Sequence, residues 1–288
     1  MNILPQEAIQ TYRSKTYRLT SSSRIKTKTE AVDFVNERGF IFFWPINMID
    51  FPSLWVATAG DRPVPNEHDD PGHITWQWKD DLLSERKWYY GKIIRKKATI
   101  ISLDLLPYFY AQSSNYGSPD QDYLELYEQG LMSQEAKSIY QVILQTGPLD
   151  TITLKQKSRL HSKENEARFS RGISELQTDF MLMPIGIAEV GSWRYAYIYE
   201  IPARYFQDLI ENSRLIDEDN ARMVIFDKLL ASVGYYLPRD ICRMMGWSVR
   251  EFDKILNQAI SNNLCSYGYR IRGSDDEWIV HHQLLEKV

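Results

Sequence analysis

The chain has 288 residues, of which 43% are hydrophobic and 25% charged, and its formal net charge at pH 7 is −4. This length and composition predict a globular protein of two or three domains and exclude a disordered or fibrous chain. The most apolar run, residues 39–46, is too short for a bilayer span, and no basic-then-apolar leader follows Met1, so we expect a soluble, cytoplasmic protein.

The N-terminal third is predicted to form an α+β unit. Two helices and three strands are predicted, over residues 5–12, 29–38, 40–46, 88–94 and 98–103. Thr29 is the expected cap of the second helix, and Gly39 is its expected end. Residues 95–97 are three consecutive cations at the turn between the last two strands. Residues 112–120 are rich in Ser, Gly and Pro and predict a linker.

The first repeat, residues 133–200, begins as an amphipathic helix between Ser133 and Gly147, because its apolar residues recur with a period of 3.6. A short helix follows, and then a longer one that Ser162 is expected to cap. Two strands are predicted after these helices, over residues 181–190 and 193–201. A two-residue turn at Gly191-Ser192 is expected to join them.

The second repeat, residues 219–282, has the same order of elements, and corresponding residues lie 85–87 positions further along the chain. Gly234 is the glycine that ends its first helix, and Ser248 with Glu251 forms a capping box. Its two strands flank a longer turn, at residues 273–276. The two cysteines of the chain, Cys242 and Cys265, fall within this pattern and are expected to be reduced core thiols.

Helix, short helix, capped helix and hairpin in this order are typical of the winged helix. The predicted fold class is therefore α+β, with tandem winged-helix domains (helix-turn-helix plus β-hairpin wing) after an N-terminal winged-helix-like unit. The predicted domains cover residues 1–111, 121–212 and 213–288. Double-stranded DNA is the expected partner of such domains, and packing of protein on protein is the alternative.

Positive charge is concentrated in three segments, residues 13–28, 86–97 and 155–171, which together carry +16 and leave −20 for the rest of the chain. This segregation is expected when one face of a protein meets phosphates, although each segment by itself also fits a solvated surface. Residues 239–254 of the second repeat carry only +1, so the first repeat is the better candidate for DNA binding. The candidate DNA-binding residues are Arg24, Lys26, Lys28, Lys96, Lys97, Lys155, Lys157, Arg159, Lys163, Arg168, Arg171 and Arg194.

Three short motifs precede the repeats: GFIFFWPI at residues 39–46, WYYGK at 88–92 and SLDLLP at 102–107. In this order, and followed by two repeats, they resemble the AlkZ/YcaQ-type winged-helix DNA glycosylases, in a divergent AlkZ-related branch. The resemblance implies a DNA-repair protein that removes alkylated or crosslinked bases. The catalytic motif of that family, Gln, an apolar residue, then Gln or Asp, falls on Phe42, Phe43 and Trp44, so both of its polar residues are missing here.

Residues 61–81 are the alternative candidate for a catalytic site. Hydrolysis of an N-glycosidic bond needs a carboxylate that positions water, and aromatic surface that holds a flipped base. We therefore expect Asp69 or Asp70 to be the carboxylate, with His68 or His73 beside it. Trp76 and Trp78 share a face if this segment is a strand, and they would line the pocket.

Simpler explanations compete with this catalytic site. An acidic loop around Pro71-Gly72 is also typical of a solvated turn, and paired tryptophans are typical of a core. The histidines and carboxylates can also be interpreted as a Zn or Mn site, but His68 and His73 are five residues apart around a turn and lack helical ligand spacing, so no metal or other cofactor is expected.

Two functions remain open at the level of the sequence. The first is a DNA glycosylase that contacts the phosphates of DNA through the first repeat and the N-terminal basic segment. The second is a non-enzymatic DNA binder, a regulator or lesion sensor, on the same scaffold. Both are expected at the nucleoid DNA of the cytoplasm. A module that binds protein but no DNA is the third and weaker alternative.

Overall fold

A computed structural model describes residues 3–67, 69–115, 117–271 and 273–286. The strands are β1 (Ile3–Leu4), β2 (Phe40–Phe42), β3 (Tyr89–Lys92), β4 (Ala98–Ile101), β5 (Leu149–Asp150), β6 (Met183–Ala188), β7 (Ala196–Glu200), β8 (Tyr235–Tyr236), β9 (Cys265–Ile271) and β10 (Trp278–His281). The helices are α1 (Gln6–Thr16), α2 (Lys28–Arg38), α3 (Leu54–Ala59), α4 (Ile74–Ser84), α5 (Leu106–Tyr110), α6 (Asp122–Glu128), α7 (Gln134–Thr146), α8 (Thr151–Lys157), α9 (Glu166–Thr178), α10 (Pro202–Tyr205), α11 (Leu209–Arg214), α12 (Glu218–Val233), α13 (Pro238–Met245), α14 (Val249–Ser261) and α15 (His282–Leu285). The predicted α+β class is confirmed.

The chain divides into two compact units. Unit 1 consists of Met1–Gln77, Ile100–Ser102 and Asp219–Val288, and unit 2 of Trp78–Thr99 and Leu103–Glu218. The second repeat therefore belongs to unit 1 and the first repeat to unit 2. The finer division into three successive domains stays a prediction.

The N-terminal helices follow the predicted pattern with shifted boundaries. Helix α2 begins two residues earlier than predicted, because its cap is Thr27 and not Thr29: the hydroxyl of Thr27 accepts a hydrogen bond from the backbone N–H of Glu30 at 3.2 Å. Gly39 ends this helix with φ 80°, as predicted. The strand predicted over residues 40–46 is shorter in the structure and ends at Phe42. The carbonyl oxygen of Phe43 accepts instead from the backbone N–H of Trp55 in α3, at 3.1 Å.

The first repeat has the predicted order of helices and strands. The Ser133 hydroxyl caps α7, and Gly147 ends it with φ 81°. The inner faces of α7, α8 and α9 enclose a core that includes Ile139, Tyr140 and Leu176, all fully buried. The three strands form an antiparallel sheet in the order β5-β7-β6.

Two details of the first repeat were predicted wrongly. The strands β6 and β7 pair only as far as Ala188 and Ala196, so residues 189–195 form a seven-residue loop in place of a two-residue turn. All seven residues of this loop are exposed, so no contact with the core holds them in a ladder. Ser162 precedes a short 3-10 helix, Lys163–Asn165, and its side chain accepts no backbone hydrogen bond, so α9 begins later than predicted.

The second repeat lies in a four-stranded sheet with the order β1-β9-β10-β8. Ser248 and Glu251 form the predicted capping box at the start of α14, and Gly234 follows α12 with φ 80°. Strand β1 joins this sheet by parallel pairing with β9, so the first described residues and the second repeat share one core. Cys265 is buried and Cys242 half-buried, and both are free thiols, as predicted.

A third sheet has the order β2-β4-β3. In the part of the chain that the structure describes, every helix is too short or too polar to cross a membrane.

Candidate functional site

The residues at the family's catalytic positions lie at the end of β2 in unit 1. Phe42 and Phe43 are 1% exposed, so both side chains belong to the core. Phe42 meets the ring of Phe51 edge-on, with 5.9 Å between the centroids. Only Trp44, which is half-buried, reaches a surface at this position.

Trp44 is part of an aromatic cluster with Trp55, His73 and Trp76, which we call the Trp44 cluster. The ring centroid of Trp44 lies 5.3 Å from that of Trp55 and 5.6 Å from that of Trp76. His73 stacks on Trp76 at 5.6 Å with 23° between the ring planes. Trp76 is 39% exposed, so the cluster presents an aromatic surface to solvent. Two of the predicted site residues, His73 and Trp76, therefore do lie beside the family's motif position.

Asp70 holds the loop that carries His73. Its carboxylate accepts two hydrogen bonds from the Arg62 guanidinium, at 2.6 and 3.0 Å, and a third from the backbone N–H of Gly72 at 2.7 Å. The Arg62 guanidinium in turn lies over the Trp55 ring, 4.9 Å from its centroid. Hydrogen bonding to Arg62 lowers the pKa of Asp70, so this carboxyl is ionised at neutral pH. Gly72 has to be glycine, since a Cβ there would lie 2.7 Å from the Trp55 ring.

The other residues predicted around this site behave differently. Asp69 is exposed, and His68 lies outside the described residues. The Nε2 atom of His73 lies 3.2 Å from the carbonyl oxygen of Pro65, and its Nδ1 atom is buried with no hydrogen-bond partner in the described chain. Among the described residues, no three metal-binding side chains gather at one point.

Trp76 and Trp78 do not share a face, which corrects the prediction that both line one pocket. The segment is helix α4, in which residues two apart point in nearly opposite directions. Trp78 is accordingly 5% exposed, in contrast to Trp76. The mistake came from taking the alternation of Trp and polar residues as a strand, although Thr75, Trp78 and Leu82 make an equally regular helical stripe.

The buried stripe of α4 also includes Lys79, which the sequence reasoning missed. The side chain of Lys79 is 0% exposed. Its ammonium donates hydrogen bonds to the hydroxyls of Tyr195, at 3.1 Å, and Tyr197. It also lies 5.3 Å from the centroid of the Tyr90 ring, within cation–π range. We call these residues, with Asp80, the Lys79 cage.

Asp80 supplies the counter-charge of the Lys79 cage. One of its oxygens lies 2.9 Å from the ammonium, and it accepts a hydrogen bond from the Tyr195 hydroxyl at 3.0 Å. Burial lowers the pKa of Lys79, and Asp80 opposes that shift. The signal for this residue was present in the sequence, because Lys79 stands one residue after Trp78 and three before Leu82, on the apolar face of a helix.

The predicted DNA-binding cations of the first repeat differ in how they are paired. Lys155 contacts Glu166 at 2.6 Å, Arg168 contacts Glu135 at 2.6 Å, and Arg194 contacts Glu189. The remaining four are exposed and make no ion pair within the described chain: Lys157, Arg159, Lys163 and Arg171. Unit 2 thus presents positive charge that its own carboxylates do not neutralise.

The cations of the second repeat are mostly neutralised within unit 1. Arg239 makes two hydrogen bonds to Asp276, at 3.0 and 3.1 Å, and Arg243 lies 3.3 Å from Asp240. Lys254 pairs with Asp219. The repeats therefore differ in net charge and also in the share of their cations that is paired with carboxylates, which is larger in the second repeat.

The predicted cations outside the repeats are distributed over both units. Lys26 in unit 1 is exposed, while Arg24 and Lys28 are half-buried. The Arg24 guanidinium lies where a side chain at Gly60 would stand. Lys96 and Lys97 in unit 2 are exposed at the turn before β4.

Asp179, at the end of α9, gives a stability prediction. Burial raises its pKa from 3.8 to about 6, and the nearby Glu175 carboxylate adds to this shift while Lys96 opposes it. Between pH 3.8 and about pH 6 the folded state therefore keeps a proton that the unfolded chain has released. The contribution of Asp179 to stability falls as the pH rises through this range. We expect Asp179→Asn to raise the free energy of unfolding at pH 8 by about 1–3 kcal/mol. The gain should vanish near pH 4 in urea unfolding, and an equal gain at both pH values would contradict this assignment.

The fold is similar to that of a DNA glycosylase. The chain matches the structure of Streptomyces sahachiroi DNA glycosylase AlkZ with a TM-score of 0.62 and 14% sequence identity, over 100% of this chain and 72% of that one. The model of the AlkZ-related family matches residues 25–246, and the chain therefore belongs to that family. A comparison with curated proteins found no match.

Proposed function

We propose that this protein is a DNA binder of the AlkZ-related family, and that it contacts duplex DNA mainly through the first repeat. The observation that carries the proposal is that Lys157, Arg159 and Lys163 are exposed and make no ion pair in the described chain, whereas the cations of the second repeat are mostly paired with carboxylates. Exposed cations without a carboxylate partner are what phosphate contacts require, because each one that binds a phosphate releases a counterion from the DNA.

The element order supports a winged-helix interpretation of both repeats. In the first repeat, α7, α8 and α9 correspond to the three helices, and β6 with β7 corresponds to the wing. The loop between these strands carries Trp193, which is 91% exposed, beside Arg194. An exposed aromatic ring next to a cation at the tip of a wing fits contact with a DNA groove.

The side chains at the motif position fit best with a lesion sensor or regulator that lacks the family's catalytic activity. Phe42 is buried, and Trp44 is held in the Trp44 cluster, so neither offers a group that activates water. An aromatic surface at this position fits stacking on a base, which requires no chemistry.

Base excision is the second candidate, and one observation favours it. Asp70 is an ionised carboxylate on the loop of His73, close to Trp76 and to the motif position. Against this, its oxygens are already occupied by Arg62 and Gly72, which is the pattern of a structural carboxylate.

Incubation with alkylated or crosslinked duplex DNA separates the two candidates. We expect no abasic sites above the level found with DNA alone, because no described group at the motif position is placed to activate water. Abasic sites formed by the wild type, and lost in the Asp69→Asn/Asp70→Asn double variant, would establish the excision candidate in place of the sensor.

Binding to an undamaged duplex at two salt concentrations tests the proposal as a whole. We expect the affinity to fall steeply between 50 and 200 mM salt, since phosphate contacts make the logarithm of the binding constant fall linearly with that of the salt concentration. An absence of binding at the lower salt concentration would contradict DNA binding and favour the alternative of a module that binds protein.

A further inference from the structure

Unit 2 contains a cavity of about 200 Å³ with aromatic walls, which we call the tyrosine pocket. Its lining includes four aromatic residues, Tyr90, Tyr197, Tyr199 and Phe169. Tyr197 is fixed in place, because its hydroxyl accepts from the ammonium of Lys79 and its carbonyl oxygen accepts from the hydroxyl of Thr151 at 3.0 Å. The pocket is therefore preformed, which reduces the ordering cost of binding.

Gln177 is the polar group of this pocket. It is 4% exposed, and its oxygen accepts the backbone N–H of Lys92 at 2.8 Å. That bond fixes the orientation of the amide, because a backbone N–H needs an acceptor. No hydrogen bond from the NH₂ group of Gln177 is found in the described chain, where the amide bonds only through its oxygen. This donor is therefore available to a ligand that places an acceptor atom here.

Two lysines and one carboxylate also line the pocket. Lys155 is paired with Glu166, while Lys92 donates to the hydroxyl of Ser174 at 3.1 Å. A ligand that fits the whole pocket has a flat ring for the tyrosines, an acceptor atom for the amide and an anionic group for Lys92. A nucleotide has all three.

We propose that the tyrosine pocket holds the base of a nucleotide that has left the DNA stack, with its ring on the tyrosine faces and an acceptor atom on the NH₂ group of Gln177. The proposal rests on DNA as the partner of this protein. It adds to that function a base-holding site whose residues all belong to unit 2.

The test compares two duplexes of the same sequence, one fully paired and one with a single unpaired nucleotide that leaves the stack easily. We expect the wild type to bind the second about tenfold more tightly, the size of effect that base–aromatic stacking gives. Gln177→Glu keeps the acceptor for Lys92 but places an oxygen where the NH₂ group stood, and it should bring the ratio of affinities to about one. Gln129→Glu changes the charge equally on an exposed helix end and should keep the ratio.

A second variant keeps the test decisive if Gln177→Glu does not fold. Ser170→Phe fills the pocket from an exposed position on α9 and should also abolish the preference. Equal affinity of the wild type for both duplexes would overturn the pocket proposal while DNA binding stands. A failure to bind either duplex would overturn both.

Discussion

The Asp80→Asn variant is expected to lose about 3–5 kcal/mol of unfolding free energy at pH 7. The reason is the position of Lys79, whose fully buried ammonium would keep its tyrosine hydroxyls but lose the carboxylate 2.9 Å away. Removing one partner of a buried ion pair leaves a charge that neither water nor an anion stabilises. Urea unfolding followed by circular dichroism measures the loss.

Two further variants are the controls for Asp80→Asn. Lys79→Met should cost less than Asp80→Asn, because Asp80 remains 18% exposed and keeps the hydrogen bond from Tyr195. Asp104→Asn removes an exposed carboxylate of the same unit and should change stability by no more than about 0.5 kcal/mol. Equal losses for all three would show that Lys79 is not buried as a charge.

The pH dependence supplies an independent check on Asp80→Asn. The folded-state pKa of Lys79 is already below that of a free lysine, and loss of Asp80 lowers it further. Between the folded and unfolded pKa values the unfolded chain binds more protons, so this lysine's contribution to stability rises with pH. The deficit of Asp80→Asn relative to the wild type should therefore shrink from pH 7 to pH 10.

Features that depend on neighbouring residues could be predicted from the sequence. The cap at Ser133, the helix end at Gly147 and the capping box at Ser248 are decided within one helical turn, and all three are present. The order of elements in each repeat follows from the same local signals. Strand boundaries were less accurate, since Ala188 and Ala196 end their ladder where the loop loses contact with the core.

Features that depend on distant residues could not be predicted. The hydroxyls that surround Lys79 come from positions 116 and 118 residues further along the chain. The pairing of β1 with β9 joins two residues near the start of the chain to the second repeat, and a strand this short has no periodicity of its own. In the candidate site, Asp70 was predicted as a catalytic carboxylate from its type alone, and only the Arg62 guanidinium bound to it indicates a structural role.

The motif position shows how the resemblance and the geometry complement each other. The resemblance assigns the family's catalytic position to Phe42 and Trp44. The side chains present there determine whether that position can catalyse hydrolysis or only bind. A buried Phe42 contributes to the core alone, while Trp44 connects β2 to Trp55 and Trp76. The position is therefore used for packing and for aromatic surface, which is why a binding function fits it better than hydrolysis.

The largest effect on function is expected from the triple variant Lys157→Ala/Arg159→Ala/Lys163→Ala. If each of these exposed cations contacts one phosphate, the slope of the logarithm of the binding constant against that of the salt concentration should fall by about 3. The affinity for duplex DNA near 0.1 M salt should fall by roughly two orders of magnitude. Fluorescence anisotropy over a salt series measures both quantities.

The second repeat provides a control with the same change of charge. Arg239→Ala/Arg243→Ala/Lys254→Ala also removes three cations, but each of these is already paired with a carboxylate. Because their charge is neutralised inside unit 1, they release few counterions when DNA binds, and the slope should change by less than about 1. An equal loss of slope in both triple variants would mean that net charge alone attracts the DNA and that the first repeat is not its docking face.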